Sequence, residues 1–325
     1  MNSAILRTEL PLLGLLALLW GASYLFIKVA VAEIPPVTLI AFRVLGAAVF
    51  LLLIMRGRAE TLPRDLRTWR MLLLQAVFNS IGAWTVLAWG QQYVDAGLAS
   101  VLNSTSPIFV LLITAFVTRH ETLGGRKLAG AALGIVGVIL IVGVDALRGL
   151  GHQVAGQIAC LVGAALYAGA AIYGNRFGHI GAVATATGTM IWASMVLVPL
   201  ALVLERPWTL SPGFMAIGAA VVLSVACTGV ALLIYFRLVR TLGSMGVASQ
   251  SYLRAGIGVI LGMAFLDESF SFPVGLGLVA AIAGVVLINW PRPRSKPRPF
   301  VEATGAGGEA SKRNPVISNG AGGGT

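Results

Sequence analysis

Long apolar runs separated by short polar punctuation organise this chain. Runs of about twenty residues, the length that carries a helix across the ~30 Å hydrocarbon core, fall near 9–30, 36–56, 70–92, 97–118, 126–144, 154–175, 182–204, 213–236, 245–266 and 272–290. Between them stand Pro35-Pro36, the charged stretch Arg56 to Arg70, Asp95-Ala96-Gly97, Gly124-Gly125, Gly149 to Gly151 and Ser211-Pro212. The pattern predicts an all-α integral membrane protein of ten transmembrane helices. The first run carries Lys28 near its end and lacks a small-x-small cleavage site, so it reads as a retained helix rather than a signal peptide.

Composition agrees with lipid as the solvent. Of 325 residues, 57% are hydrophobic and 11% charged, with a mean hydropathy of +0.88; a soluble domain is about 25% charged. The net charge of +11 does not point to nucleic acid, because the basic residues cluster in loops and tail. One set of loops holds Arg7, Arg56, Arg58, Arg64, Arg67, Arg70, Arg119, Arg126, Lys127, Arg176, Arg237 and Arg240. The other has Lys28, Arg148 and Arg206 among Glu33, Asp95, Asp145, Glu205, Asp267 and Glu268. This asymmetry follows the positive-inside rule and places both termini in the cytoplasm. Residues 291–325, rich in Pro, Gly and Arg, read as a disordered basic tail. Cys160 and Cys227 lie inside apolar runs and read as small packing residues.

Shifting the sequence on itself by 147 residues reveals a repeat: Glu121 falls on Glu268, Gly130 on Gly277, Ile135 on Ile282, and Gly137, Val138, Leu140 and Ile141 on Gly284, Val285, Leu287 and Ile288. The chain therefore divides into 1–146, 147–290 and the tail. Five helices per copy is an odd number, so the second copy enters the membrane inverted. Two oppositely oriented halves can exchange conformations and open a central site alternately to each face.

The segments WGASYLFIKVAVAEIPPVTLIAFRVLGA (Trp20 to Ala47), AGLASVLNSTSPIFVLLITAFVTRHETLGGRKLAGAALGIVGVILI (Ala96 to Ile141) and GSMGVASQSYLRAGIGVILGMAFLDESFSFPVGLGLVAAIAGVVLI (Gly243 to Ile288) resemble the EamA family of the drug/metabolite transporter superfamily. The resemblance covers residues 10–290. It implies ten helices in two inverted repeats around a solute site, in a multi-pass protein of the bacterial inner membrane exporting or exchanging amino acids or related metabolites. It implies no cofactor. The sequence departs from the family pattern at Arg254, which stands where the second repeat usually carries a proline, the mate of Pro107.

Charged side chains at mid-bilayer are costly and face a bundle interior or a watery cavity. Arg43 and Arg254 are the two such residues here. Arg254 follows Gln250 by one helical turn, and their repeat mates are Pro107 and Asn103. Arg254 either lines the site and pairs with an anionic group or hydrogen-bonds backbone carbonyls. Arg43, whose mate is Met190, reads as structural. Pro107 kinks its helix, as a gate or for packing. Trp20, Tyr24, Asn79, Trp84, Tyr167, Tyr235, Ser251 and Tyr252 are further cavity candidates, with interfacial anchoring the alternative for the aromatics. Gly130/Gly134 and Gly258/Gly262 have G-x-x-x-G spacing, suited to packing within a monomer first and to a weak homodimer second. The Asp, Glu and His residues fall at or near helix ends or outside the runs, which points to facilitated export or exchange down a gradient, or to coupling through helix-end carboxylates such as Glu9 or Glu33. An enzyme would need a nucleophile and base or metal ligands within the spans, and the runs hold none. A channel-like facilitator or a non-transporting receptor is the alternative to a carrier. The expected partners are a small solute and the bilayer.

Overall fold

The computed structural model describes residues 3–117, 125–147, 151–178, 180–235, 237–238, 241 and 250–289. The tail after Trp290 and the segment bearing Glu121 lie outside the described residues.

The long helical stretches among the described residues are α1 Ser3–Val31, α2 Pro36–Gly57, α3 Leu66–Gly90, α4 Ala96–Ala115, α5 Gly125–Leu147, α6 Gly151–Gly174, α7 Ala182–Leu204, α8 Phe214–Tyr235, α9 Gln250–Phe265 and α10 Phe272–Asn289. No strand occurs among the described residues. Seven of these helices, α1 to α4 and α6 to α8, are long and apolar enough to cross a membrane, and α9 and α10 contain shorter apolar stretches. Burial runs opposite to that of a soluble protein. Phe214, Phe272 and Val203 are 88%, 85% and 74% exposed, while Arg43, Asn103, Gln91 and Gln157 are 5%, 1%, 0% and 0% exposed. Large apolar surface outside and polar groups inside is the distribution a lipid solvent selects.

Helix ends are joined by backbone-capping side chains. A helix leaves its first N–H groups without intrahelical partners, and an anion there also meets the positive end of the helix dipole. Glu205, just beyond α7, accepts from Val37 N (3.1 Å) and Thr38 N (2.6 Å) at the start of α2. Glu268, between α9 and α10, accepts from Ala96 N (2.5 Å) and Gly97 N (2.9 Å) at the start of α4. Glu33, after α1, accepts from Gly213 N at 2.6 Å, ahead of α8. Lys28 serves the opposite polarity, donating to the carbonyls of Gln91 (2.9 Å) and Val94 (2.7 Å) just past α3. Glu9 is buried and accepts from Arg237 (3.0 Å) and Thr241 (3.1 Å). Both helix-end carboxylates considered for ion coupling are thus engaged in tying helices together.

The glycines permit close helix approach within the molecule. A Cβ on Gly137 of α5 would stand 2.5 Å from Ala281 N and 2.7 Å from Gly277 O of α10. One on Gly284 of α10 would stand 2.5 Å from both Gly130 O and Gly134 N of α5. Cys160 and Cys227 are buried and unpaired.

Candidate functional site

Helix α4 is interrupted where the sequence predicts a kink. It runs Ala96–Asn103, turns at Ser104 and Thr105, and resumes at Ser106 with Pro107 in the first turn of the new segment. Pro107 has no N–H to give to the Asn103 carbonyl four residues earlier. The hydroxyls around it restore the balance: Ser106 donates to Asn103 O (2.7 Å), Thr105 to Leu102 O (2.6 Å) and Ser104 to Ser100 O (2.7 Å). The proline therefore begins a helix instead of bending one, and the break leaves Asn103 at the end of the first segment.

Asn103 is 1% exposed, and its Nδ2 donates to the Tyr24 hydroxyl at 2.6 Å. Its Oδ1 is buried with no hydrogen-bond partner among the described residues. On α9, the partly buried Arg254 has its Nε in the same condition. Helices α4 and α9 pack directly, with Ser100 Oγ donating to Ala255 O at 3.2 Å. Most buried polar atoms in folded proteins are hydrogen-bonded. Asn103 Oδ1 and Arg254 Nε are thus an unmatched acceptor and an unmatched donor on two contacting helices, two of several such buried atoms among the described residues.

A second group surrounds Arg43. The guanidinium carbon lies 3.9 Å from the centroid of the Trp84 ring, a cation–π contact, and Nε donates to Thr228 Oγ1 at 2.9 Å. Ser224 donates to the Arg43 carbonyl at 3.0 Å. Trp84 Nε1 in turn donates to the Tyr167 hydroxyl. Tyr167 is near enough to Arg43, Tyr24 and Arg254 to feel their charge or dipole, which sets the two groups side by side. Trp84 and Thr228 sit in π-helical segments, Val77–Trp84 of α3 and Val225–Val230 of α8. Both side chains meet Arg43 of α2, and such π segments recur at functional sites.

The structure thus gathers Tyr24, Trp84, Asn103, Tyr167 and Arg254 with Arg43. Tyr24 and Trp84 are buried at 3% and 6% exposure rather than lying at an interface. Trp20 and Tyr235 form a separate tilted ring pair at 5.4 Å between α1 and α8. Asn79 donates to Ser80 Oγ on its own helix at 3.1 Å, and no described contact joins it to the centre. Gln250, Ser251 and Tyr252 begin α9, and their side chains lie outside the described residues. Sequence reasoning missed Thr228 and Ser224, the partners of Arg43. The one available signal was their placement as hydroxyls within the apolar run of α8, a weak one. Among the described residues no group of His, Cys, Asp and Glu is arranged to hold a metal ion.

Between α9 and α10, Glu268 is partly buried against α4, and this burial holds its carboxyl above the ordinary value of 4.5 despite the two backbone N–H groups. Asp95 adds to the upward shift and Lys28 opposes it.

Comparison with known proteins agrees with these features. The chain is 28% identical over 292 residues to an uncharacterized inner membrane transporter, YedA, of Escherichia coli K12, covering 87% of this chain and 92% of that one. It is 31% identical over 299 residues to an uncharacterized transporter of Archaeoglobus fulgidus, covering 88% and 98% respectively. A solved crystal structure of a protein shares the fold with a TM-score of 0.60 over 87% of this chain and 97% of that one, at 17% identity. The sequence profile of the EamA-like transporter family matches residues 9–143 and again 154–290. This chain is a multi-pass membrane protein and belongs to the EamA-like transporter family.

Proposed function

We propose that this chain is a secondary transporter of the bacterial inner membrane that exports or exchanges a small metabolite, an amino acid or related solute. The solute binds at the polar centre, and two inverted five-helix halves expose it alternately to each side of the membrane. The observation that carries the solute assignment is that two of the buried groups without a hydrogen-bond partner among the described residues, Asn103 Oδ1 and Arg254 Nε, stand on contacting helices. A carboxylate suits the arginine and an ammonium suits the amide oxygen, and an amino acid has both. Tyr24, Trp84 and Tyr167 supply an aromatic wall, with Trp84 held between Arg43 and the Tyr167 hydroxyl.

Alternating access draws support from the contact between α5 and α10. Gly137 faces Gly277, while their repeat mates, Gly284 and Gly130, face each other. Reciprocal contact of this kind is what a pseudo-twofold relation between halves produces. The two separate family matches, one to each half, support the same reading.

The test is counterflow in proteoliposomes with the twenty proteinogenic amino acids as probes, after a thermal-shift screen with the same panel. Binding to the native state raises the apparent melting temperature. A carrier shows trans-stimulation by its own substrate, and a channel or receptor does not. Arg254→Gln, checked for monodispersity, should abolish the thermal shift and the counterflow together. Counterflow of the identified solute at the wild-type rate in Arg254→Gln would remove the arginine from the site. Failure of all twenty to bind or exchange would remove the amino-acid assignment.

A further inference from the structure

The loop after α2 builds a second site, remote from the polar centre. Val49, Leu52 and Leu53 point outward from the last turns of α2, 50%, 39% and 65% exposed. They form the apolar wall of an open groove of about 550 Å³, whose polar end is made by Arg56, Glu60 and Arg64. This is the face that the charge asymmetry assigns to the cytoplasm.

The groove has a rigid frame. Helix α2 stops in a Schellman arrangement in which Glu60 N donates to Met55 O (3.1 Å) and Ala59 adopts the left-handed region at φ 53°. Leu62 packs with Met55, Ile180, Val183 and Ala184. Trp69 Nε1 donates to Pro63 O (2.8 Å), and Asp65 caps the start of α3 through Thr68 N (2.7 Å). The chain from 57 to 65 is therefore held at both ends and in its middle. Two arginines and a carboxylate are presented on a fixed backbone. Among the described residues none of the three is ion-paired with another side chain.

We propose that this groove binds one phospholipid of the cytoplasmic leaflet whose headgroup carries both a phosphate and an ammonium, as phosphatidylethanolamine does. Arg56 and Arg64 receive the phosphate, with charge-assisted hydrogen bonds from guanidinium to phosphate oxygens. Glu60 is less exposed than either arginine and receives the ammonium. A purely anionic headgroup leaves that carboxylate facing a second negative charge. An acyl chain lies along Val49, Leu52 and Leu53, where the helix already faces hydrocarbon. A groove of this volume is within the range of small-molecule sites, and charge complementarity at the polar end distinguishes it from the general lipid-facing surface.

The experiment is native mass spectrometry of the full chain delipidated in detergent and titrated with equimolar phosphatidylethanolamine and phosphatidylglycerol of identical acyl chains. The expected result is one tightly held phosphatidylethanolamine per chain, in preference to phosphatidylglycerol. Arg56→Gln/Arg64→Gln should weaken that adduct by about tenfold or more, from roughly 1 kcal/mol per basic residue near the surface. Glu60→Gln should erase the preference while leaving phosphate-dependent retention. All three side chains lie at the surface, and monodispersity on size exclusion confirms that the variants fold. Equal retention by wild type and the double arginine variant overturns the site. A wild-type preference for phosphatidylglycerol overturns the zwitterionic assignment.

Discussion

Replacing Arg43 by Lys keeps the positive charge and most of the aliphatic stem, so it isolates what the guanidinium does. The Nε–H···Oγ1 bond to Thr228 is 2.9 Å long, between side chains that are 5% and 1% exposed. Interhelical hydrogen bonds in membranes contribute about 0.6 kcal/mol on average and up to ~1.7. A charge-assisted bond of good length belongs near the top of that range, about 1.5 kcal/mol. The stack on Trp84 at 3.9 Å adds roughly 0.5–2 kcal/mol when desolvated, and the ammonium recovers only part of it. Arg43→Lys should therefore destabilise by about 2 kcal/mol. Reversible unfolding in mixed dodecylmaltoside and dodecylsulfate micelles reads this directly. Thr228→Val closes a double-mutant cycle, in which the two changes together should cost about 1 kcal/mol less than their sum. An Arg43→Lys variant as stable as wild type, with no coupling to Thr228, would refute the assignment of Arg43 as a cross-helix anchor.

The remaining predictions concern helix ends and helix contacts. Because burial raises the Glu268 carboxyl above 4.5, the folded state holds its proton to higher pH than the unfolded chain. Its contribution to stability is then present below about pH 4.5 and is lost as pH rises through the raised value; melting curves from pH 4 upward should show that decline, and Glu268→Gln should flatten it. Ala59 occupies the left-handed region at φ 53°, where a Cβ is strained, so Ala59→Gly should raise stability by about 0.5–1 kcal/mol in the same micelle assay. Gly137→Leu would drive a side chain into the α10 backbone, whose Ala281 N is 2.5 Å from the Cβ position; a loss of about 1–3 kcal/mol is expected, measured as reduced monodisperse yield and earlier unfolding.

Much of the architecture was legible because hydropathy is a local property. A run of twenty apolar residues needs a lipid surround whatever the rest of the chain does, and the helices observed over 36–57, 182–204 and 214–235 stand within one or two residues of the apolar runs. Arg43 and Arg254 were legible for the same reason, as charges in the middle of such runs. Pro107 was legible as a disturbance, but whether it bends or restarts a helix depends on the hydroxyls of Ser104, Thr105 and Ser106.

The partnerships within the site were not legible. Arg43 and Thr228 are 185 residues apart, and Tyr24 and Asn103 are 79 apart. Nothing local couples them. Trp84 and Thr228 sit in π segments, which change the angle between successive side chains without leaving a pattern in composition. The carboxylate caps joining α7 to α2 and α9 to α4 likewise exist only once those helix ends are neighbours. By itself the sequence determined the solvent, the number and extent of the apolar runs, and the presence of charges that need an explanation. Only the tertiary structure decided which of those charges are matched and which buried groups, Asn103 Oδ1 and Arg254 Nε among them, have no partner among the described residues, because satisfaction of a polar atom depends on distance and angle to groups far away along the chain.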